Sequence, residues 1–354
     1  MPVVSVIMPV YKVEEFVGKA IESVLSQTFR DIELLAVDDG SPDRSGEICD
    51  SYAAEDSRVY VIHQQNAGAP AARNAALDKA SGKYVYFIDS DDWIESDMLE
   101  KMVSLAEENH AELIVTGFCM EYYQDGENVT YRTPCPDKTY ASIENFRRDA
   151  CHYFNSSLLS LPWNKLFLRE PIESRGIRFM DTKWDDHHFC MDFLMDCKSV
   201  VLSSMTKYHW YRSRKGSETM INYSDVNMFD KRREHFQHIL RLYRHWKIKD
   251  EASLDAISCY YSGRLAQCVQ ELADNKDVSS KEKRERVKRL LDDRMTKAAL
   301  GHAHSLSRKM KIMTLPMKLG SVRLSLLMGK SISLVRRLAP GLFIKLKEKE
   351  VHGA

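Results

Sequence analysis

The N-terminal 120 residues predict an α/β fold, a mostly parallel sheet with helices on both faces, on three observations. Short apolar runs rich in β-branched residues recur there, the pattern of strands buried on both sides. Segments with apolar residues at helical spacing fall between them, which implies parallel strands joined by crossover helices. The 354-residue chain is 44% apolar and 29% charged, an ordinary globular composition with room for one large domain and an appendage.

The elements follow in order. Residues 3–9 (VVSVIMP) form a first strand, and 14–27 a helix carrying Phe16, Val17, Ala20, Ile21, Val24 and Leu25 on one side. Residues 32–37 (IELLAV) make a second strand, stopped by Asp38-Asp39-Gly40-Ser41-Pro42. A helix over 45–54, a strand over 59–63, an Ala-rich helix over 69–79 and a strand over 84–88 come next. A helix over 96–109 and a strand over 112–117 complete the unit. Beyond Tyr122 the alternation fades. Residues 125–140, with Gly126, Pro134 and Pro136, read as a loop, and 143–214 as short mixed elements around two charged clusters. From Val226 the pattern is helical, with Phe236, Ile239, Leu240 and Tyr243 at helical spacing, and it continues over 254–272 and 286–300.

Composition narrows the setting. Basic and acidic residues balance at 51 each, but residues 301–354 hold eleven basic side chains against two acidic, so the tail is about +9 and the body about −9. That balance gives no reason to expect a nucleic-acid partner. Eight cysteines lie scattered without a C-x-x-C pair, as expected of free thiols in a reducing compartment. No basic flank precedes the first apolar run, which reads as a strand rather than a signal peptide. No uncharged apolar run approaches the ~18 residues of a membrane span, so a cytoplasmic location is the expectation.

In an open parallel sheet, ligands sit beyond the carboxyl ends of the strands. Pro9, Val10, Tyr11 and Lys12 follow the first strand, and Asp38, Asp39, Gly40 and Ser41 the second. Asn66, Ala67, Gly68 and Arg73-Asn74 follow the third, and Asp89, Ser90, Asp91, Asp92 and Trp93 the fourth. Three carboxylates in four residues repel one another, and a cation offsets that. Hard oxygen ligands suit Mg²⁺ or Mn²⁺, which bind one or two carboxylates together with substrate phosphates. A solvated loop capping the helix near Ser96 is the alternative. Asp38 and Asp39 fit ordinary turn chemistry, or a carboxylate accepting from a base imide. Tyr11 is either surface or a ring stacked on a base, and Arg73 either solvated or turned into the cleft.

The set PVYK (9–12), VDDGSPDRS (37–45), N-x-G-x-x-x-A-R-N (66–74) and FIDSDDW (87–93) resembles the family 2 glycosyltransferases of the GT-A fold over residues 1–120. Each motif is weak alone; four in order at the right strand ends are specific. Lys12 stands where the family usually has Asn. The resemblance implies an inverting transfer from a nucleotide-diphosphate sugar, commonly a UDP-sugar, to an acceptor hydroxyl. By motif match Pro9, Tyr11 and Asp39 would hold the base, with Val10 and Asp38 also among the donor-binding residues. Asn66, Gly68 and Arg73 would lie along the donor, as would Asp89, Ser90 and Asp91. The cation would fall to Asp91 or Asp92. The division implied is 1–220 as the catalytic domain (1–120 for the nucleotide sugar, 121–220 for the acceptor) and 221–354 as a helical region. Neither G-x-G-x-x-G after the first strand nor a P-loop signature is present, which removes the dehydrogenase and P-loop readings.

An inverting transfer also needs a carboxylate to take the acceptor's proton. Trp184-Asp185-Asp186-His187-His188-Phe189 resembles the family's Glu-Asp-x-x-Phe at a helix start, which makes Asp186 the base and Asp185 its support. Two Asp residues also favour a helix N-terminus. A second metal is disfavoured, because adjacent His187 and His188 point apart on a helix. Trp163 and Lys165, in PWNKLF (162–167), resemble the start of the acceptor region, with Trp163 either a sugar platform or core. His209, Arg212, Arg214 and Ser217 lie in a stretch resembling Tyr-x-Tyr-Arg-x-x-x-Gly-Ser of bacterial polysaccharide enzymes, whose cations would either close over the diphosphate or form a solvated basic loop. The Gln-x-x-Arg-Trp signature of processive synthases is missing, so one sugar per encounter is expected.

Residues 315–346 mix Leu, Ile, Met, Val and Phe with spaced Lys and Arg. Such helices lie on anionic membrane surfaces, or here pack on the acidic body. A saccharide or lipid-linked saccharide acceptor, and a place on the inner face of the cell membrane, go with the first option. Two other functions compete. A sugar-nucleotide nucleotidyltransferase wants a Gly-rich basic loop after the first strand, which PVYKVEEF lacks. A non-catalytic nucleotide-sugar binder is disfavoured by the retained Asp39, Asp91, Asp92 and Asp186.

Overall fold

A computed structural model describes residues 2–124, 127–182, 184–213 and 228–338. The chain divides into two compact units: residues 1–215 with 242–246, and 216–241 with 247–354.

The first unit is built on an eight-stranded mixed sheet. Its strands are β1 (Val4–Val10), β2 (Ile32–Asp38), β3 (Val59–His63), β4 (Tyr84–Phe87), β6 (Leu113–Thr116), β9 (Lys138–Thr139), β10 (Lys165–Leu168) and β11 (Val200–Ser203). They lie in the order β3-β2-β1-β4-β10-β6-β11-β9. Strands β1 to β4 run parallel, so the loops after β1, β2 and β4 open on one edge. Every β2 residue is buried, Glu33 included. Its carboxylate is satisfied by the Ser5 hydroxyl at 2.5 Å and by the Ser81 amide and hydroxyl at 2.8 and 2.9 Å, as a buried charge requires.

Helices α1 (Val17–Leu25), α2 (Ser45–Glu55), α3 (Ala69–Leu77) and α4 (Met98–Glu108) are the crossover segments that the periodicity predicts. The sheet is mostly parallel, as expected, with β10 and the edge strand β9 as its antiparallel members. Strand β10 enters antiparallel between β4 and β6, pairing Leu166 with Tyr86 and with Ile114. It carries the chain across the sheet to α5 (Ile143–Asp149) on one side of it in sequence, and to α6 (Arg169–Ser174) and α7 (Asp185–Met195) on the other.

One correction concerns 125–140. Strands β7 (Phe118–Gln124) and β8 (Glu127–Thr133) form a hairpin, paired from Phe118–Thr133 to Gln124–Glu127. With β5 (Trp93–Ile94) and β12 (Tyr208–Tyr211) they make a four-stranded sheet, ordered β5-β12-β7-β8. Pro134 and Pro136 stand just beyond β8 and end it. None of the eight cysteines is joined in a disulfide.

Helix α8 (Met228–His245) ends in the first unit, where the Trp246 indole donates to the Met195 carbonyl at 3.0 Å. The second unit is helical: α9 (Glu251–Asp274), α10 (Ser280–Asp292), α11 (Arg294–His302), α12 (Arg308–Lys318) and α13 (Val322–Leu338). Asp250, Ser279, Asp293 and Ser307 each cap the helix they precede with a side-chain oxygen. Among the described residues no helix is long and apolar enough to cross a membrane.

Candidate active site

The site forms where the loops after β2, β3 and β4 meet the start of α7. Arg73, on α3, is its hinge. Its guanidinium reaches Asp89 at 2.8 Å, Asp185 at 2.7 Å and Asp186 at 3.2 Å, and its side chain is almost wholly buried. Burial alone would lower the pKa of Arg73, but the charges of Asp186, Asp89 and Asp185 outweigh it and hold the pKa above its usual value. A planar fork suits this work, since one cation holds carboxylates from two directions. The ring of Phe179 lies beneath the guanidinium at 5.2 Å. Asp185 and Asp186 occupy the first turn of α7, where the helix dipole favours negative charge. Asp186 keeps 29% of its side chain exposed against 14% for Asp185.

The loops after β2 and β3 are stitched together by Asp39. One of its carboxylate oxygens accepts from the Gln64 amide at 2.7 Å and the Ala67 N–H at 2.9 Å, the other from the Gly68 N–H at 2.8 Å. Asn66 donates to the Asp39 carbonyl at 3.0 Å. Gly68 takes a φ of 88°, left-handed backbone that favours glycine, and so turns the chain into α3. A carboxylate has about four lone-pair sites, so the Asp39 oxygen bound only to Gly68 can still accept. Asp38 is turned elsewhere: it accepts from the Ser41 N–H and pairs with His63, at 3.0 Å each. Both Asp38 oxygens are thus engaged, one by the turn and one by His63 of β3. Val10 is buried in the sheet, so only its backbone can serve, whereas Tyr11 stands exposed with Pro9 partly covered behind it.

The acidic turn after β4 separates its carboxylates by direction. Asp89 goes to Arg73. Asp92 is 1% exposed, with one oxygen accepting from the Tyr208 hydroxyl at 2.5 Å and the other from the Tyr211 N–H at 2.8 Å. Burial, and then the charges of Asp91 and Asp89, push its pKa well above the usual carboxylate range. Asp92 thus ties the turn to β12 through both of its oxygens. Asp91 is partly exposed beside it, and Ser90 is buried. Asp91, partly exposed on this turn, is a hard oxygen donor of the kind a divalent cation takes.

Other candidates fall away from solvent. Trp163 is 2% exposed, stacked on Tyr208 at 4.3 Å and edge-on to Phe118 at 4.8 Å. It is core, and no face is left for a sugar. Lys165 is fully buried, its ammonium donating to the Leu158 and Leu161 carbonyls at 2.5 Å and to Asn164 at 2.7 Å. Burial pushes that ammonium down to about 8. It braces a loop and contacts no ligand. His209 pairs with buried Glu121 at 2.7 Å and stacks on Trp93 at 5.1 Å. Arg212 covers the ring of Trp210 at 4.2 Å. Arg214 and Ser217 lie outside the described residues. His187 and His188 have their rings 6.3 Å apart and nearly perpendicular.

Sequence reasoning missed Glu121 and Lys19. The Lys19 ammonium lies 3.0 Å from the Trp93 ring centre, and burial lowers its pKa against the opposing pull of Glu121 and Asp92. A single Lys on a helix and a Glu in a segment without periodicity carry no local signal, so only strand pairing reveals them.

A parallel nucleotide-binding sheet, an acidic turn beyond its fourth strand and a carboxylate pair facing it define a nucleotide-sugar-dependent transferase of the GT-A type. The family model for glycosyl transferase family 2 matches residues 5–188, and the chain belongs to that family. It is 30% identical over 305 residues to the uncharacterized glycosyltransferase EpsJ of Bacillus subtilis, spanning 85% of this chain and 87% of that protein. The fold matches that of TarS residues 1–349 from S. aureus, solved with UDP-GlcNAc, with a TM-score of 0.69 and 18% identity over 94% of this chain and 92% of that one. It also matches the mannosyltransferase PcManGT of Pyrobaculum calidifontis, solved with GDP-Man and Mn²⁺, with a TM-score of 0.51 and 16% identity over 94% of this chain and 87% of that one.

Proposed function

We propose that this glycosyltransferase moves a sugar, with inversion, from a UDP-sugar to an acceptor hydroxyl during cell-surface polysaccharide synthesis. The acceptor is a saccharide or a lipid-linked saccharide. The observation that carries the reading is the Arg73 bridge, which draws the donor-side Asp89 and the acceptor-side Asp185 and Asp186 onto one guanidinium.

Asp186 is the general base. As the acceptor oxygen attacks the anomeric carbon, Asp186 takes the hydroxyl proton, the new C–O bond forms, and the bond to the diphosphate breaks on the opposite face. Arg73 faces Asp186 at 3.2 Å with its positive charge, and Asp185 anchors Arg73 from the same helix turn. Tyr11 offers a ring to the base, and Asp39 a carboxylate oxygen to its imide N–H. Asp91 would hold Mg²⁺ or Mn²⁺, which when bound neutralises the departing diphosphate. His209 and Arg212, with Arg214 and Ser217, would face that diphosphate. The UDP-GlcNAc seen in TarS, a protein of the same fold, supports the uridine assignment.

A panel of UDP- and GDP-sugars with Mn²⁺, read by release of the nucleoside diphosphate, tests this. One UDP-sugar should turn over well above the rest. If none is hydrolysed or transferred, the reading fails.

A further inference from the structure

Helix α13 wears its polarity inside out, and α12 beside it in sequence adds further exposed apolar side chains. On α13 the buried face consists of Ser325, Gly329 and Ser333, spaced four apart on one side of the helix. It packs so closely on α9 that a Cβ added at Gly329 would lie 3.0 Å from the Ala273 Cβ and the Val269 carbonyl oxygen. Leu324, Leu327 and Leu334 point outward instead, with 49%, 61% and 55% of their surface exposed. On α12 and its C-cap, Ile312, Leu315 and Leu319 are exposed at 55%, 53% and 66%, opposite buried Thr314, Pro316 and Met317. Among the described residues, every strongly exposed leucine or isoleucine is one of these six. A helix in water shows the reverse arrangement. The same outer surface carries exposed Arg308, Lys311, Lys318, Arg323 and Lys330. No Asp or Glu occurs anywhere from 301 to 338.

We propose that this face of α12 and α13 docks on an anionic lipid surface. The leucines and Ile312 enter the boundary between headgroups and acyl chains, and the flanking cations meet the headgroup phosphates. Such a surface is the one environment in which an apolar stripe and an unbroken set of cations are stabilised together. A second copy of the chain fits poorly, because a two-fold contact would set these cations against themselves. The proposal stands apart from the donor-site reading, since it rests on other residues.

Co-sedimentation of the full chain with vesicles tests it. Protein should pellet with vesicles containing phosphatidylglycerol, stay in the supernatant with phosphatidylcholine alone, and be released by salt. Lys318→Gln, Arg323→Gln and Lys330→Gln should each weaken binding about fivefold. A chain carrying Leu315→Gln, Leu319→Gln, Leu324→Gln and Leu327→Gln should lose it while melting and hydrolysing donor like the parent; should that variant not fold, the three single charge variants decide. Retention in the supernatant with anionic vesicles overturns the proposal, as does unchanged pelleting of the charge variants or of a folded leucine variant. So does a dimer, seen by light scattering, that the leucine variant dissociates without any vesicle binding, which would make the face a contact between copies.

Discussion

Arg73 and Asp185 lie 2.7 Å apart although 112 residues separate them. One belongs to the crossover helix after β3, the other to the first turn of α7, and their pairing fixes the distance between the donor loops and the acceptor-side carboxylates. Because Arg73 also holds Asp89 and faces Asp186, the four residues form a network in which one cation serves three anions.

Removing that cation strands three carboxylates. Arg73→Ala should cost about 3–5 kcal/mol of stability, the usual penalty for orphaning buried charges. Arg73→Lys keeps the charge but loses the fork, so it should melt closer to the parent while transfer falls sharply. Thermal melts and kcat/KM on the two variants check this, and equal kcat/KM for Lys and Arg would rule out a geometric role.

Asp186→Asn keeps shape and removes the proton acceptor. Transfer should fall about 10²- to 10⁴-fold, the range typical of a lost general base, with UDP affinity by calorimetry nearly unchanged. A fully active Asp186→Asn would move the base elsewhere.

The acidic turn predicts a contrast between neighbours. Asp91→Asn should weaken Mn²⁺-dependent binding of the donor and leave the fold intact. Asp92→Asn should chiefly lower the melting temperature, because Tyr208 and the Tyr211 N–H both bond to that carboxylate. Titrating Mn²⁺ against each variant distinguishes them; a metal defect confined to Asp92→Asn would reverse the assignment.

His63 is held by Asp38 and Asp50, whose hydrogen bonds raise its pKa above the ordinary value against the effect of burial. A raised folded pKa means that this stabilisation is fully present below the unfolded value of about 6.5 and is lost as pH rises through the folded one. Asp50→Asn should lower the His63 midpoint in an NMR titration, and an unchanged midpoint would discount the pairing.

Trp163→Ala should cost about 3–5 kcal/mol, as for other buried aromatic truncations, with little change in the acceptor KM of the folded fraction. An acceptor KM raised tenfold at unchanged stability would restore Trp163 as a sugar platform.

Most of the sheet was legible because buried strands and amphipathic helices announce themselves locally, β3 over 59–63 residue for residue. The hairpin of β7 and β8 was not. Tyr122, Tyr123, Val129 and Tyr131 suit a strand, but the glycine and prolines around them read equally as a loop, and pairing with β12 decides between the two.

The sequence by itself determined the α/β class, the order of the loops and the residue types gathered at the sheet edge, since these depend on periodicity and on turn chemistry within a few positions. Only the tertiary structure decided which carboxylate faces which way: Asp92 inward to Tyr208, Asp89 to Arg73. Adjacent residues at the end of a strand share composition and solvent prospects, and what separates them is a partner more than a hundred positions away, which no local pattern encodes.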